Sequence, residues 1–149
     1  LWQYGSTLSP YSKMILRQYI NDSLSSDIFQ AKQLRLMIVL KNQDQVIGTI
    51  DLFELDNHHS RVGVGILVDK TYRGQGYSKQ ALELAIRYIF EFLNLQQIFA
   101  HIAENNTVSQ KLFSQLGFET TSKLKRWLKI NNKHEDMYIL QLFNRQTTL

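Results

Sequence analysis

Hydrophobic and polar positions alternate most clearly from Arg61 to Val68. Val62, Val64, Ile66 and Val68 take one set of positions, and Gly63, Gly65 and Leu67 take the other. A period of two predicts a strand. Its two glycines on one face bare the backbone, for a ligand or for a bulge. The period then changes. Ala81, Leu82, Ala85, Ile86, Ile89, Phe92 and Leu93 recur at helical spacing, so a long amphipathic helix follows a short loop. Upstream, Leu34 to Leu40 and Val46 to Leu55 flank a polar turn, Lys41 to Gln45, and predict a hairpin. Asp56 to Ser60 turns the chain into the central strand, which makes three neighbouring antiparallel strands. Downstream, Gln97 to Ala103 reads as a strand reached by a right-handed parallel crossover. The next helix opens at Asn105-Asn106-Thr107, with Thr107 and Gln110 as a capping box. Val108, Leu112 and Leu116 face inward, and Gly117 is its C-terminal glycine. Glu119 to Ile130 and His134 to Phe143 form a final hairpin about Asn131-Asn132-Lys133. Near the start, Ser9-Pro10 reads as the opening of a helix carrying Tyr11, Met14, Ile15 and Ile20. Ser26 to Lys32 reads as a second short helix.

Length and composition narrow the classes. The 149 residues fit one domain with one core, and 44% hydrophobic with 20% charged residues is ordinary for a globular chain. No stretch has the apolar length of a membrane span, and the first residues carry no signal-peptide pattern. The absence of cysteine excludes disulfides, zinc–thiolate sites and a cysteine nucleophile. It is compatible with a reducing cytoplasm, the expected location. A net charge of +4 suits a polyphosphate ligand or an acidic partner.

The loop Arg73-Gly74-Gln75-Gly76-Tyr77-Ser78 delivers backbone N–H groups to a helix N-terminus, an anion site by donor geometry and by dipole. A Walker loop would need a lysine after Gly76, and Tyr77-Ser78 lacks it. A dinucleotide fingerprint would need a third glycine. The loop instead resembles the Arg/Gln-x-x-Gly-x-Gly/Ala pyrophosphate loop of the GNAT N-acetyltransferases, with Ser78 in the last small position. Glu104-Asn105-Asn106-Thr107-Val108-Ser109, followed by Leu112-Phe113-Ser114-Gln115-Leu116-Gly117-Phe118, resembles that family's second signature. The Asn-x-x-Ser form and the ending Asn131 to Tyr138 look most like the branch of ribosomal-protein alanine and spermidine N-acetyltransferases. The likeness runs over nearly the whole chain.

The resemblance implies an α/β fold of mixed α+β type: a mixed central sheet of about six strands flanked by helices. The chain does not begin with Met, and the resemblance implies that a first strand and part of the first helix are missing from a single domain spanning 1–149. It implies acetyl-CoA as cosubstrate and no metal. Ile66, Leu67 and Val68 would pair with pantetheine in a V between the central strand and the next. Arg73, Gly74, Gln75, Gly76, Tyr77 and Ser78 would hold the pyrophosphate. Asn106, Ser109 and Phe113 would lie near the thiol end.

Acetyl transfer to an amine needs a neutral nucleophile, a donor for the oxyanion and an outlet for the thiolate. The Val68 N–H is the expected oxyanion donor. Many family members use a tyrosine acid four residues before the Gly-Phe glycine; here that residue is Phe113, which has no acidic proton. Ser109, one turn earlier, is the nearest hydroxyl. Glu54 is the expected base among Asp51, Glu54 and Glu104, and a water chain could replace it. His58-His59 are expected to diverge, His101 to be a hydrogen-bonded core or cleft residue, and Lys123 to Lys129 to form an amphipathic strand with a basic outer row. The function expected is N-acetylation of a primary amine, a protein α-amine first and a polyamine or small amine next. The alternatives are an acyl-CoA-binding sensor or partner module without turnover, which Phe113 favours, and a basic RNA adaptor. A homodimer is the assembly the family suggests; membrane and nucleic-acid partners are not expected.

Overall fold

The alternation at Arg61 to Val68 does form a strand, and the sheet is built around it. In this computed structural model, which describes Met14 to Gln18 and residues 31–145, the strands are β1 (Met14–Gln18), β2 (Leu34–Leu40), β3 (Gln45–Asp56), β4 (Arg61–Val68), β5 (Gln97–Ala103), β6 (Glu119–Ile130) and β7 (Lys133–Phe143). They make one sheet in the order β1-β2-β3-β4-β5-β7-β6. Among the described strands only β4 and β5 pair in parallel, and the other pairs are antiparallel. Helix α1 (Tyr77–Arg87) connects β4 to β5, and helix α2 (Thr107–Gln115) follows β5.

Met14 to Gln18, expected inside a helix, is instead strand β1 on β2, with Met14 opposite Leu40. Met14-Ile15-Leu16 is a run of three apolar residues, which suits a strand covered on both faces; Met14 and Leu16 are fully buried. Ser9-Pro10, Tyr11 and Ile20 of that expected helix lie outside the described residues, as does the second short helix up to residue 30.

Helix α1 packs across β1, β3 and β4. Ala81, Leu82, Leu84 and Ala85 are its buried face, and each fully buried side chain the size of Leu82 contributes about 1.5–3 kcal/mol of apolar transfer. The expected face is buried at Ala81, Leu82, Ala85, Ile89 and Leu93, half-buried at Ile86, and fails at Phe92. A π-helical turn over Tyr88–Phe92 widens the spiral by one residue, which buries Tyr88 and leaves Phe92, stacked on it, 62% exposed. At the end of α2, Gly117 adopts a φ of +97°. The Phe118 N–H donates to the Phe113 carbonyl and the Gly117 N–H to that of Ser114, so a Schellman motif closes the helix as the glycine predicted. The Phe118 ring folds back edge-on against Phe113 at 5.0 Å.

Gly63 does not bare its backbone for a ligand. A Cβ there would run into the Phe53 ring, which lies across the glycine and meets Phe99 edge-on at 5.6 Å. The β6–β7 turn has Asn131 and Asn132 both at positive φ, the two-residue turn that suits strand twist.

Candidate functional site

Strands β4 and β5 pair only at Arg61–Gln97, Val62–Ile98 and Gly63–Phe99. Beyond Gly63 they separate, because β3 holds β4 along its length while β7 holds all of β5. A V therefore opens toward the C-terminal ends of both strands. The β4 peptide groups can be followed into it. The Asp69 N–H donates to the Ile47 carbonyl of β3 at 2.7 Å. The same peptide plane turns the Val68 carbonyl away from β3, where Arg73 Nε donates to it at 2.9 Å. By strand alternation the Val68 N–H and the Ile66 polar groups also point away from β3, along the edge β5 has left. Opposite Val68 stands Gly48, where a Cβ would strike the Leu67 carbonyl and come within 2.9 Å of Val68 Cα; a side chain there would push β4 out of register.

The loop beyond β4 turns on two glycines at positive φ, Gly74 (+78°) and Gly76 (+82°), a conformation costly for other residues. A Cβ built on either meets nothing within 4 Å, so the concave side of the loop is open. Gly76 is the N-cap of α1 and has no side chain to cap the first-turn N–H groups. Arg73, Gly74, Gln75 and Gly76 are exposed, and Tyr77 and Ser78 are half-buried. Loop donors and the α1 dipole thus converge where a diphosphate fits by charge and by room. A groove of about 370 Å³ adjoins them, lined by Ile47, Gly48, Leu67, Val68, Asp69 and Arg73.

Across the mouth of the V lies the start of α2. Its N-cap is Asn106, not Thr107: Asn106 Oδ1 accepts from the Ser109 N–H at 3.2 Å. Gln110 does not close a capping box. Its Nε2 donates to the Ala103 and Glu104 carbonyls at 3.0 and 2.8 Å and fastens α2 to the end of β5. Ser109 is half-buried, while Phe113 is in the core at 2% exposure.

Ile66, Leu67 and Val68 lead into the loop from Arg73 to Ser78 at the end of β4, and Asn106 and Ser109 begin α2 just beyond the corresponding end of β5. Glu54 is not brought there. It sits exposed at a φ of +49° on a bulge beside the β3–β4 turn, at the closed end of the V. Val68 is five residues further along β4 than Gly63, the partner of Phe53, roughly 16 Å at strand rise. Strand alternation does not carry through the bulge between Phe53 and Asp56. Asp51 is held by Arg35 in a two-pronged ion pair at 2.7 and 3.0 Å, and Glu104 by Lys123 at 3.0 Å. His101 is exposed and packs against Phe53 and Phe99. The His58 and His59 rings touch, with centroids 4.7 Å apart, because the turn there is not extended. No group of three or more metal-ligating side chains gathers among the described residues, and no helix there is long and apolar enough to cross a membrane.

One cluster was not anticipated. Lys123 Nζ bridges Glu104 and Asp136 (3.3 Å), and Asp136 Oδ1 accepts the Arg126 N–H at 2.8 Å. That backbone bond first, and Lys123 second, hold the Asp136 carboxyl below its ordinary range; Glu104 and then Asp136 push the Lys123 ammonium up. Asp136 follows Lys123 by thirteen residues, across a bulge, so no sequence signal links them.

An anion-binding loop at the tip of a helix, beside a strand splayed from its neighbour, defines an acyl-CoA-dependent transferase fold. Residues 1–119 match the family model described as the acetyltransferase (GNAT) domain, so the chain belongs to the GNAT acetyltransferase family. It is an N-acetyltransferase by class, moving acetyl from acetyl-CoA to an amine. The chain is 30% identical over 110 residues to the spermidine N(1)-acetyltransferase of Vibrio cholerae, covering 72% of this chain and 64% of that one. It is 28% identical over 99 residues to the putative ribosomal N-acetyltransferase YdaF of Bacillus subtilis, covering 66% and 54%. The chain thus spans less than two thirds of these relatives' lengths. A dodecameric structure of spermidine N-acetyltransferase from Vibrio cholerae superposes with a TM-score of 0.73 at 24% identity, over 78% of this chain and 67% of that one, a likeness of fold.

Proposed function

We propose that this chain acetylates a primary amine, a protein N-terminal α-amine before a polyamine, with the thioester of acetyl-CoA laid along β4. The observation that carries this reading is the parting of β4 from β5 after Gly63, which leaves the Val68 N–H aimed into an opening beside the uncapped tip of α1. Bound acetyl-CoA supplies an activated acetyl group. Loop N–H groups and Arg73 hold its diphosphate, and Ile66 guides its pantetheine by backbone pairing, with the exposed Leu67 side chain beside it. A neutral amine attacks the thioester carbon, and the tetrahedral oxyanion accepts the Val68 N–H. The C–S bond then breaks, the thiolate leaves, and the nitrogen loses a proton to water. Ser109, at the start of α2, relays a proton to the thiolate, giving its hydroxyl proton to sulfur as it takes one from solvent. Asn106, as N-cap, and Phe113, in the core, keep that turn of α2 in place. Solvent is the proton acceptor in this scheme, since Glu54 is remote and Asp51 and Glu104 are paired.

Titration calorimetry with acetyl-CoA, followed by thiol-release assays on amines and peptides, tests this directly. Saturable binding and amine-dependent release are expected. No binding would refute the reading. Binding without release would move the assignment to an acyl-CoA sensor, which the hydroxyl-free Phe113 would then explain.

A further inference from the structure

The positive charge of this chain is concentrated in one place. Lys123, Lys125, Arg126, Lys129 and Lys133 fall between Thr120 and His134 with no acid among them. That leaves 12 of the 17 basic residues against all 13 acidic ones elsewhere. The structure puts this stretch at the mouth of the V. Strand β7 pairs with β5 only as far as Met137–Ala103, so the hairpin before Met137 runs on past the C-terminal end of β5. Lys123–Glu104 (3.0 Å) and Asn105 Nδ2 to Glu135 Oε1 (3.0 Å) tie its base to the connection that carries Asn106.

The register of the hairpin is uneven. Leu124 faces Met137 and Leu128 faces Glu135, so three residues of β6 stand opposite the single Asp136. Lys125, Arg126 and Trp127 are therefore looped out. Arg126 lies in the left-handed region (φ +52°), held there by the bond from its N–H to Asp136. Trp127 is 61% exposed. Lys123 is spent on Glu104 and Asp136, whereas no carboxylate among the described residues lies within ion-pair distance of Lys125, Arg126, Lys129 or Lys133.

We infer that this bulged hairpin selects the acceptor, and that the acceptor is an amine carried on an acidic polypeptide segment. The inference rests on the acetyl-transfer reading above and narrows its substrate class. A peptide whose α-amine enters the V must leave along the hairpin, where carboxylates meet Lys125, Arg126 and Lys129, and Trp127 offers an apolar contact. A free polyamine meets the same three cations as repulsion. RNA has the charge but no aliphatic amine to present at Val68.

The test uses two peptides with the same first three residues, one continued by Asp and Glu and one by Lys, together with spermidine and a single-stranded RNA. Acetyl transfer at low salt is expected to favour the acidic peptide by about tenfold or more in kcat/KM, an advantage that shrinks in high salt. The variant Lys125→Glu/Arg126→Glu/Lys129→Glu should reverse the preference and leave the KM for acetyl-CoA unchanged. Equal use of both peptides, a preference for spermidine, or a variant that weakens both peptides alike would overturn the inference. Anisotropy of a labelled acidic peptide on both proteins reads the surface without turnover. If no amine is acetylated but the wild type alone binds the acidic peptide, the transfer reading falls and the surface stands. If neither protein binds it, or RNA displaces it and binds more tightly, the surface assignment falls.

Discussion

Arg73 touches both halves of the proposed chemistry, and removing it should separate them. Its Nε holds the Val68 carbonyl at 2.9 Å, and Gly74, the next residue, begins the open loop. In Arg73→Ala the Val68 carbonyl loses a charge-assisted bond, worth about 1.5–3 kcal/mol when shielded. Arg73 is exposed, so water replaces part of that, and about 1.4 kcal/mol is the reasonable loss. If the bond fixes the end of β4 and cancels the carbonyl dipole beside the oxyanion, the loss falls on the transition state, about tenfold in kcat. The missing charge at the diphosphate costs about another 1 kcal/mol, about fivefold in acetyl-CoA affinity. Arg73→Gln keeps an N–H donor for Val68 and discards the charge. Steady-state thiol release with acetyl-CoA varied at saturating amine should therefore show Arg73→Ala low in kcat and weak in binding, and Arg73→Gln weak in binding alone. An unchanged kcat in Arg73→Ala, or equal kcat losses in the two variants, would refute the reasoning.

Two other perturbations reach the scaffold. Gly48→Ala drives a methyl group against backbone on β4, which cannot swing aside as a side chain can. A stability loss of about 1–3 kcal/mol by urea denaturation is expected, with weaker acetyl-CoA binding, and an unchanged midpoint would contradict the contact. The carboxyl of Asp136 titrates below 3.8 in the fold, so its stabilisation is complete above that pH and fades as pH falls through the lowered value. Lys123 has the opposite sign: its contribution is present below 10.5 and fades as pH rises past the raised value. Melting temperatures of the wild type and Asp136→Asn should converge below about pH 3.8 and part above it; a gap independent of pH would show that the carboxylate charge plays no part.

What the sequence alone determined was local. The period-two run into Gly74 and Gly76 and then a period-3.6 run describe strand, anion loop and helix, because each depends on residues a few positions apart. Gly117 announced its Schellman motif, and Asn131-Asn132 their turn, for the same reason. Non-local contacts decided the rest. Met14 and Ile15 read as part of a helix, and pairing with the edge of β2 makes them strand instead. Asn106 rather than Thr107 caps α2, a difference of one position that only backbone geometry sets. Glu54 is the expected base, yet a bulge in the β3–β4 pairing places it at the closed end of the V. The gap between β4 and β5 is written in neither strand. It exists because β3 and β7 each hold one of them along its length and draw them apart. The looped-out Lys125-Arg126-Trp127 likewise depends on Asp136, a partner the chain reaches only after turning back on itself.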